Sequence, residues 1–144
     1  MFDNIKLSEV MSPVPVTINP NDTMDKVEDL FDTQKFRHLP VVDEAGKVVG
    51  IISKSDYLTL CDSRTVFFKE LDKERNRRFL SSILVEEVMV KPVARLRYDA
   101  RISNALGMFR ENMFHAIPIV NDDDKLVGII TTMDLINHAY RQTV

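Results

Sequence analysis

Two short stretches carry the residue types that could do chemistry. Ser53-Lys54-Ser55-Asp56 follows the apolar run Gly50-Ile51-Ile52, and Thr131-Thr132-Met133-Asp134 follows Gly128-Ile129-Ile130, 78 positions later. In each, a hydroxyl leads a carboxylate by three places at the end of what reads as a buried strand entering a helix. The hydroxyl can cap the helix while the acid takes the third helical position, a capping box. The same helix start leaves backbone N–H groups unpaired at the positive end of the peptide dipole, so it suits a phosphate. The hydroxyl can donate to that phosphate. The acid, which only accepts hydrogen bonds, suits the paired hydroxyls of a ribose. The motif therefore supports two readings, a plain helix cap or a cap that also holds half of a nucleotide.

The elements that must position these residues repeat. Shifted by 78, residues 5–58 lie on 83–136 without a gap. Ile5 meets Ile83, Val10-Met11 meets Val88-Met89, Phe31 meets Phe109, Phe36 meets Phe114, Pro40 meets Pro118 and Val49-Gly50-Ile51-Ile52 meets Val127-Gly128-Ile129-Ile130. A gapless echo of this length predicts two lobes of one fold. Each repeat reads β-α-β-β-α. In the first, Ser8 caps a helical turn and Val16-Thr17-Ile18 is a short strand. Asn21 or Asp22 caps a helix using Met24, Val27, Leu30 and Phe31. Leu39–Val42 and Lys47–Ile52 form a hairpin, and Ser53 caps the last helix. In the second, Val93–Leu96 is the first strand and Asp99 caps a helix using Ile102, Ala105, Met108 and Phe109. Ile117–Val120 and Lys125–Ile130 form the hairpin, and Thr131 caps the last helix. Thr65 to Ser82 contain no Gly or Pro and predict a connecting helix, with Glu74 and Arg78 spaced for an i,i+4 pair. That charge run reads as a solvated face. Phe67 and Phe68 raise the alternative of a docking surface for a second subunit or a partner protein. The expected organisation is repeat 1 over 5–62, a connector over 63–82 and repeat 2 over 83–141.

Composition narrows the function. With 144 residues, 44% of them apolar and 28% charged, the chain is an ordinary globular one with room for a sizeable core. A net charge of −3 argues against a nucleic-acid binder. No apolar run approaches the roughly 20 residues that span a bilayer, so no membrane association is expected. The start Met1-Phe2-Asp3-Asn4 lacks a basic, apolar leader. The single Cys61 cannot form an internal disulfide, and a reducing cytoplasm is the expected location. Cys61 itself reads as a half-buried helix residue. Scattered His38, His115 and His138 offer no metal spacing. Asp122-Asp123-Asp124 reads as a solvated turn rather than a calcium loop. Met24, Met108 and Met113 sit at core spacing. There is no Gly-rich phosphate loop and no nucleophile motif, so no enzyme and no required cofactor are expected.

The paired strand "Leu/Ile-Pro-Val/Ile-Val" and the paired ending "Gly-apolar-apolar-Ser/Thr-x-x-Asp" resemble the cystathionine-β-synthase (CBS) domain. Two copies in tandem, covering about residues 5–139, resemble a Bateman module. The resemblance implies an α/β (α+β) fold whose repeats pack about a pseudo-twofold axis. It implies adenine nucleotides or adenosyl ligands (AMP, ADP, ATP or an S-adenosyl compound) in clefts between the repeats. It implies a disc-shaped homodimer and a regulatory role, here exerted in trans on a protein target because no effector domain is attached. A ligand-free dimerisation or scaffold module is the alternative. By the same resemblance, Ser53 and Thr131 match the phosphate hydroxyls, and Asp56 and Asp134 the ribose acids. Thr17 and Arg95 lie on the first strands near base and sugar. Leu39-Pro40 and Ile117-Pro118 match the apolar wall beside adenine. Arg37 and His115 precede that wall as phosphate partners, Arg37 as a permanent fork donor.

Overall fold

A computed structural model describes residues 4–13, 16–65, 73–91, 94–111 and 114–143. Phe67, Phe68 and Met113 lie outside the described residues. A 3-10 turn at Leu7–Glu9 leads to β1 (Ser12–Pro13), α1 (Met24–Thr33), β2 (His38–Val42), β3 (Val48–Ser53) and α2 (Lys54–Thr65). Then come α3 (Lys73–Ser81), α4 (Val85–Val88), β4 (Leu96–Arg97), α5 (Ile102–Arg110), β5 (Ala116–Val120), β6 (Leu126–Thr131) and α6 (Thr132–Thr143). Among the described residues, no helix is long and apolar enough to cross a membrane.

The chain forms two compact units, and they do not follow the repeat boundaries. One, the α1 unit, takes Val16–Glu44 and Val49–Pro92. Its core joins Ile18, Met24, Val27, Phe31, Leu39, Val41, Ile52 and Tyr57 to Leu80 and Val85. Met24, Val27 and Phe31 recur at helical spacing, so α1 buries one stripe. The rings of Phe36 and Tyr57 pack on Phe31 at 5.9 and 5.7 Å. In β3 the burial alternates, whereas β2 is buried from Leu39 through Val42. Pro40 is tolerated inside β2 because its carbonyl only has to accept, from Ile18 N–H at 3.1 Å.

The other, the α5 unit, takes the described residues of Met1–Pro15 and Val93–Val144, with the first hairpin turn, Ala45–Val48. Its sheet runs β1-β6-β5-β4. β1 lies antiparallel to β6, with Ser12 opposite Ile129, and β4 lies parallel to β5. Leu7, Ile102, Ala105, Ile117, Ile119 and Ile130 form its core.

Each repeat thus gives its leading segment to the other repeat's core. Ser12 pairs beside Ile129, and its 78-shifted equivalent Val90 exchanges both backbone hydrogen bonds with Ile51 at 2.9 and 3.2 Å. Leu7 N donates to Ala100 O as Val85 N donates to Asp22 O, both at 2.8 Å. Met89 covers Gly50 and Met11 covers Gly128.

The caps differ from the sequence expectation. The residue before α1 is Thr23, not Asn21 or Asp22, and Asp22 instead accepts from Asn19 N at 2.9 Å. The residue before α5 is Arg101, and Asp99 instead pairs with Arg97 at 3.2 Å. Lys6, not Ser8, precedes the first turn, whose Glu9 accepts from Lys6 N at 2.8 Å. At Asp22 an Asx turn, and at Asp99 a nearby guanidinium, takes the side chain that would have capped the helix. Val16-Thr17-Ile18 makes a single bridge, Ile18 to Val41, rather than a full strand. Of the expected connector, α3 is described, and it carries the Glu74–Arg78 pair at 3.9 Å with both ends exposed.

Candidate functional site

Both hydroxyl–carboxylate motifs fall where a buried strand becomes a helix. In the α1 unit, β3 delivers the fully buried Ile52 and then half-buried Ser53, and α2 begins at Lys54. Ser53 Oγ accepts from Asp56 N at 2.9 Å while Asp56 Oδ2 accepts from Ser53 N at 3.1 Å. This is the reciprocal capping box. Lys54 N donates to Arg37 O at 2.7 Å, which fixes the Arg37 backbone at the helix start and leaves its side chain exposed. The structure therefore brings Arg37, Ser53 and Asp56 together.

In the α5 unit, Asp134 N donates to Thr131 Oγ1 at 3.2 Å and Thr131 N to Asp134 Oδ2 at 2.8 Å. Two further bonds have no counterpart at the first motif among the described residues. Thr131 Oγ1 also donates to Asp134 Oδ2 at 3.1 Å, and Ser12 Oγ donates to Asp134 Oδ1 at 3.0 Å. Ser12 and Asp134 share the wall of a cavity of about 280 Å³ with Glu9, Met11, Asn137 and Arg141. His115 is exposed one residue before β5, whose Ala116 faces Thr131.

The remaining candidates are placed differently. Leu39 and Ile117 are core residues with no exposed surface, and Pro40 and Pro118 are buried beside them. Thr17 is exposed next to Ile18. Arg95 is exposed, and its guanidinium pairs with Asp124 at 3.1 Å. Asp124 stands in the left-handed region at φ 62°, matching Gly46 at φ 83° in the first hairpin. Asp122 pairs with Arg97, so two of the three turn acids face guanidinium groups. Among the described residues no group of acids, His and Cys could hold a metal ion.

Sequence reasoning missed Ser12. It lies outside both motifs, and its 78-shifted equivalent is Val90, so the repeat alignment gave no signal. It also missed Arg77, which ties α3 to α1 through Asp29 at 2.8 Å and Glu28 at 3.0 Å. The Arg77 hydrogen bonds hold the Asp29 carboxyl below the usual carboxylate range.

The model of the CBS domain family matches residues 7–62 and 85–141. The chain belongs to the CBS domain family. Its two CBS repeats are similar to solved CBS pairs. CBSX2, an Arabidopsis thaliana protein solved in complex with AMP, is 24% identical, with a TM-score of 0.77 over 98% of this chain and 100% of that one. The CBS domain pair of protein MJ0100, in complex with 5'-methylthioadenosine and S-adenosyl-L-methionine, is 22% identical, with a TM-score of 0.73 over 96% and 98%. Among curated proteins, inosine-5'-monophosphate dehydrogenase of Methanocaldococcus jannaschii is 29% identical over 91% of this chain. The CBS pair spans only 23% of that dehydrogenase, and less than half of two further archaeal relatives.

Proposed function

We propose that this CBS pair is a regulatory module that binds an adenosine-containing ligand: AMP, ADP, ATP or an S-adenosyl compound. The observation that carries the reading is the pair of helix starts, each offering a hydroxyl and a carboxylate at the end of a buried strand. A phosphate suits the hydroxyl and the positive dipole end of such a helix start, with the Arg37 fork beside the first. A ribose suits the carboxylates of Asp56 and Asp134. Thr17, Arg95 and His115 complete the proposed ligand surroundings, whereas Leu39-Pro40 and Ile117-Pro118, expected as an apolar wall, are buried in the core and leave no side-chain surface for one. The AMP held by CBSX2 and the adenosyl compounds held by MJ0100 support the ligand class. Because only the CBS part of the dehydrogenase is matched, the module is proposed as non-catalytic, acting in trans on a protein target in the cytoplasm.

The alternative is a ligand-free dimerisation module. Met133, Ile136 and Tyr140 favour it, since they leave an exposed apolar stripe along α6 at i, i+3 and i+7. A homodimer is compatible with both readings. The deciding experiment is a thermal-shift and calorimetric titration with AMP, ATP and S-adenosylmethionine. A ligand bound only by the folded state at about 100 times its Kd adds about 2.7 kcal/mol of stability. A raised melting temperature that is lost in the Asp56→Asn, Asp134→Asn double variant is the expected result. No shift with any of the three ligands leaves the scaffold reading.

A further inference from the structure

The two motifs have the same sequence pattern and different hydrogen-bond inventories. At the first, Ser53 Oγ accepts one bond and its own proton is uncommitted, and Asp56 Oδ1 accepts nothing among the described residues. At the second, the Thr131 hydroxyl proton is spent on Asp134 Oδ2, and Asp134 Oδ1 already accepts from Ser12. The Ser12 bond has its cause in the exchanged leading segments. Ser12 pairs beside Ile129 on β6, and Val90 holds the equivalent place beside Ile51 on β3. The Val90 side chain has no donor to offer, so among the described residues no side chain stands in for a ligand hydroxyl at the Asp56 carboxylate.

From this we infer that the two sites load in order: the Asp56 site first, the Asp134 site second, with Ser12 acting as a built-in competitor at Asp134. The inference rests on the nucleotide reading above. A ribose arriving at Asp56 forms a charge-assisted bond without breaking one. The same ribose at Asp134 competes with the Ser12 hydroxyl for Oδ1, and a phosphate that takes the Thr131 proton draws it from its own carboxylate. One such displaced bond to a carboxylate corresponds to about tenfold in affinity. Arg37 at the first site and His115 at the second tilt the order the same way, since the guanidinium fork binds phosphate oxygens in pairs.

The test is a calorimetric AMP titration of the wild-type protein and of Ser12→Ala, Val90→Ser, Asp56→Asn and Asp134→Asn, each checked by its circular-dichroism melt. The expected wild-type isotherm has a tight and a weak event. D56N removes the tight one. S12A strengthens the weak one about tenfold, and V90S weakens the tight one, because each moves the competitor in or out. A tight event that survives D56N and vanishes in D134N overturns the order while sparing the nucleotide reading. So does a weak event that S12A fails to strengthen. Silence from the wild type and every variant overturns the nucleotide reading and the order with it.

Discussion

Among the described residues, the fold suppresses the ionisation of Tyr57 and Cys61. Burial is the main cause for both, and it pushes the Tyr57 phenol and the Cys61 thiol up from their ordinary 10.0 and 9.0. The neighbouring Cys61 thiol and the charges of Glu28, to which the Tyr57 hydroxyl donates at 3.3 Å, and of Asp32 add to the rise at Tyr57. At Cys61 the neighbouring Tyr57 hydroxyl opposes it. The sign for stability follows directly. Below pH 9 both groups are neutral in either state and the contribution is complete. Above it the unfolded chain ionises first, so stability falls as pH rises toward the folded-state values. Urea unfolding at pH 8, 9 and 10.5 is expected to give a falling midpoint, and Tyr57→Phe is expected to flatten the fall. A wild-type profile that stays level to pH 10.5 would contradict the burial of this pair. Both residues were legible as helix residues, but their contact with each other was not.

At the scale of elements, the informative feature is how closely the exchanged segments approach the second strand of each hairpin. A Cβ on Gly50 would fall 2.8 Å from Met89 Cγ, and one on Gly128 would fall 3.0 Å from Met11 Cγ. These glycines are required by close approach rather than by an unusual backbone angle. Gly50→Ala is expected to cost about 1–3 kcal/mol by overpacking, and adding Met89→Ala is expected to recover part of it. Chemical denaturation of the two single variants and the double variant measures the coupling. Additive losses would mean that Met89 is not what fills the space. The sequence showed Gly50 and Gly128 as part of a repeated motif. It could not show that a methionine 39 positions from Gly50 and another 117 positions from Gly128 were the reason, because that pairing is set by the exchange of segments.

At the scale of the whole molecule, a cut at the repeat boundary is expected to leave neither product complete. A fragment of residues 83–144 keeps Ile102, Ala105, Ile117, Ile119 and Ile130 but loses Leu7 and β1. A fragment of residues 1–82 keeps most of the other core but loses Val85 and the Val90 bridge. Each fragment alone is expected to show no cooperative melt, and an equimolar mixture is expected to regain one. A separate cooperative transition for residues 83–144 would show that the leading segment is dispensable.

By itself the sequence determined the duplication, the β-α-β-β-α order and the two capped helix starts, because each is local: apolar periodicity, a turn and a hydroxyl three places before an acid. The 78-residue offset carried the equivalence of Arg37 with His115 and of Asp56 with Asp134. Tertiary structure decided which segment completes which core. It also decided that Arg95 turns to Asp124, and that Ser12 rather than Val90 donates to a motif carboxylate. Those outcomes depend on pairings between positions distant in the chain, 117 residues apart for Ser12 and Ile129, 39 for Ile51 and Val90 and 29 for Arg95 and Asp124, and two motifs of the same local pattern do not encode them.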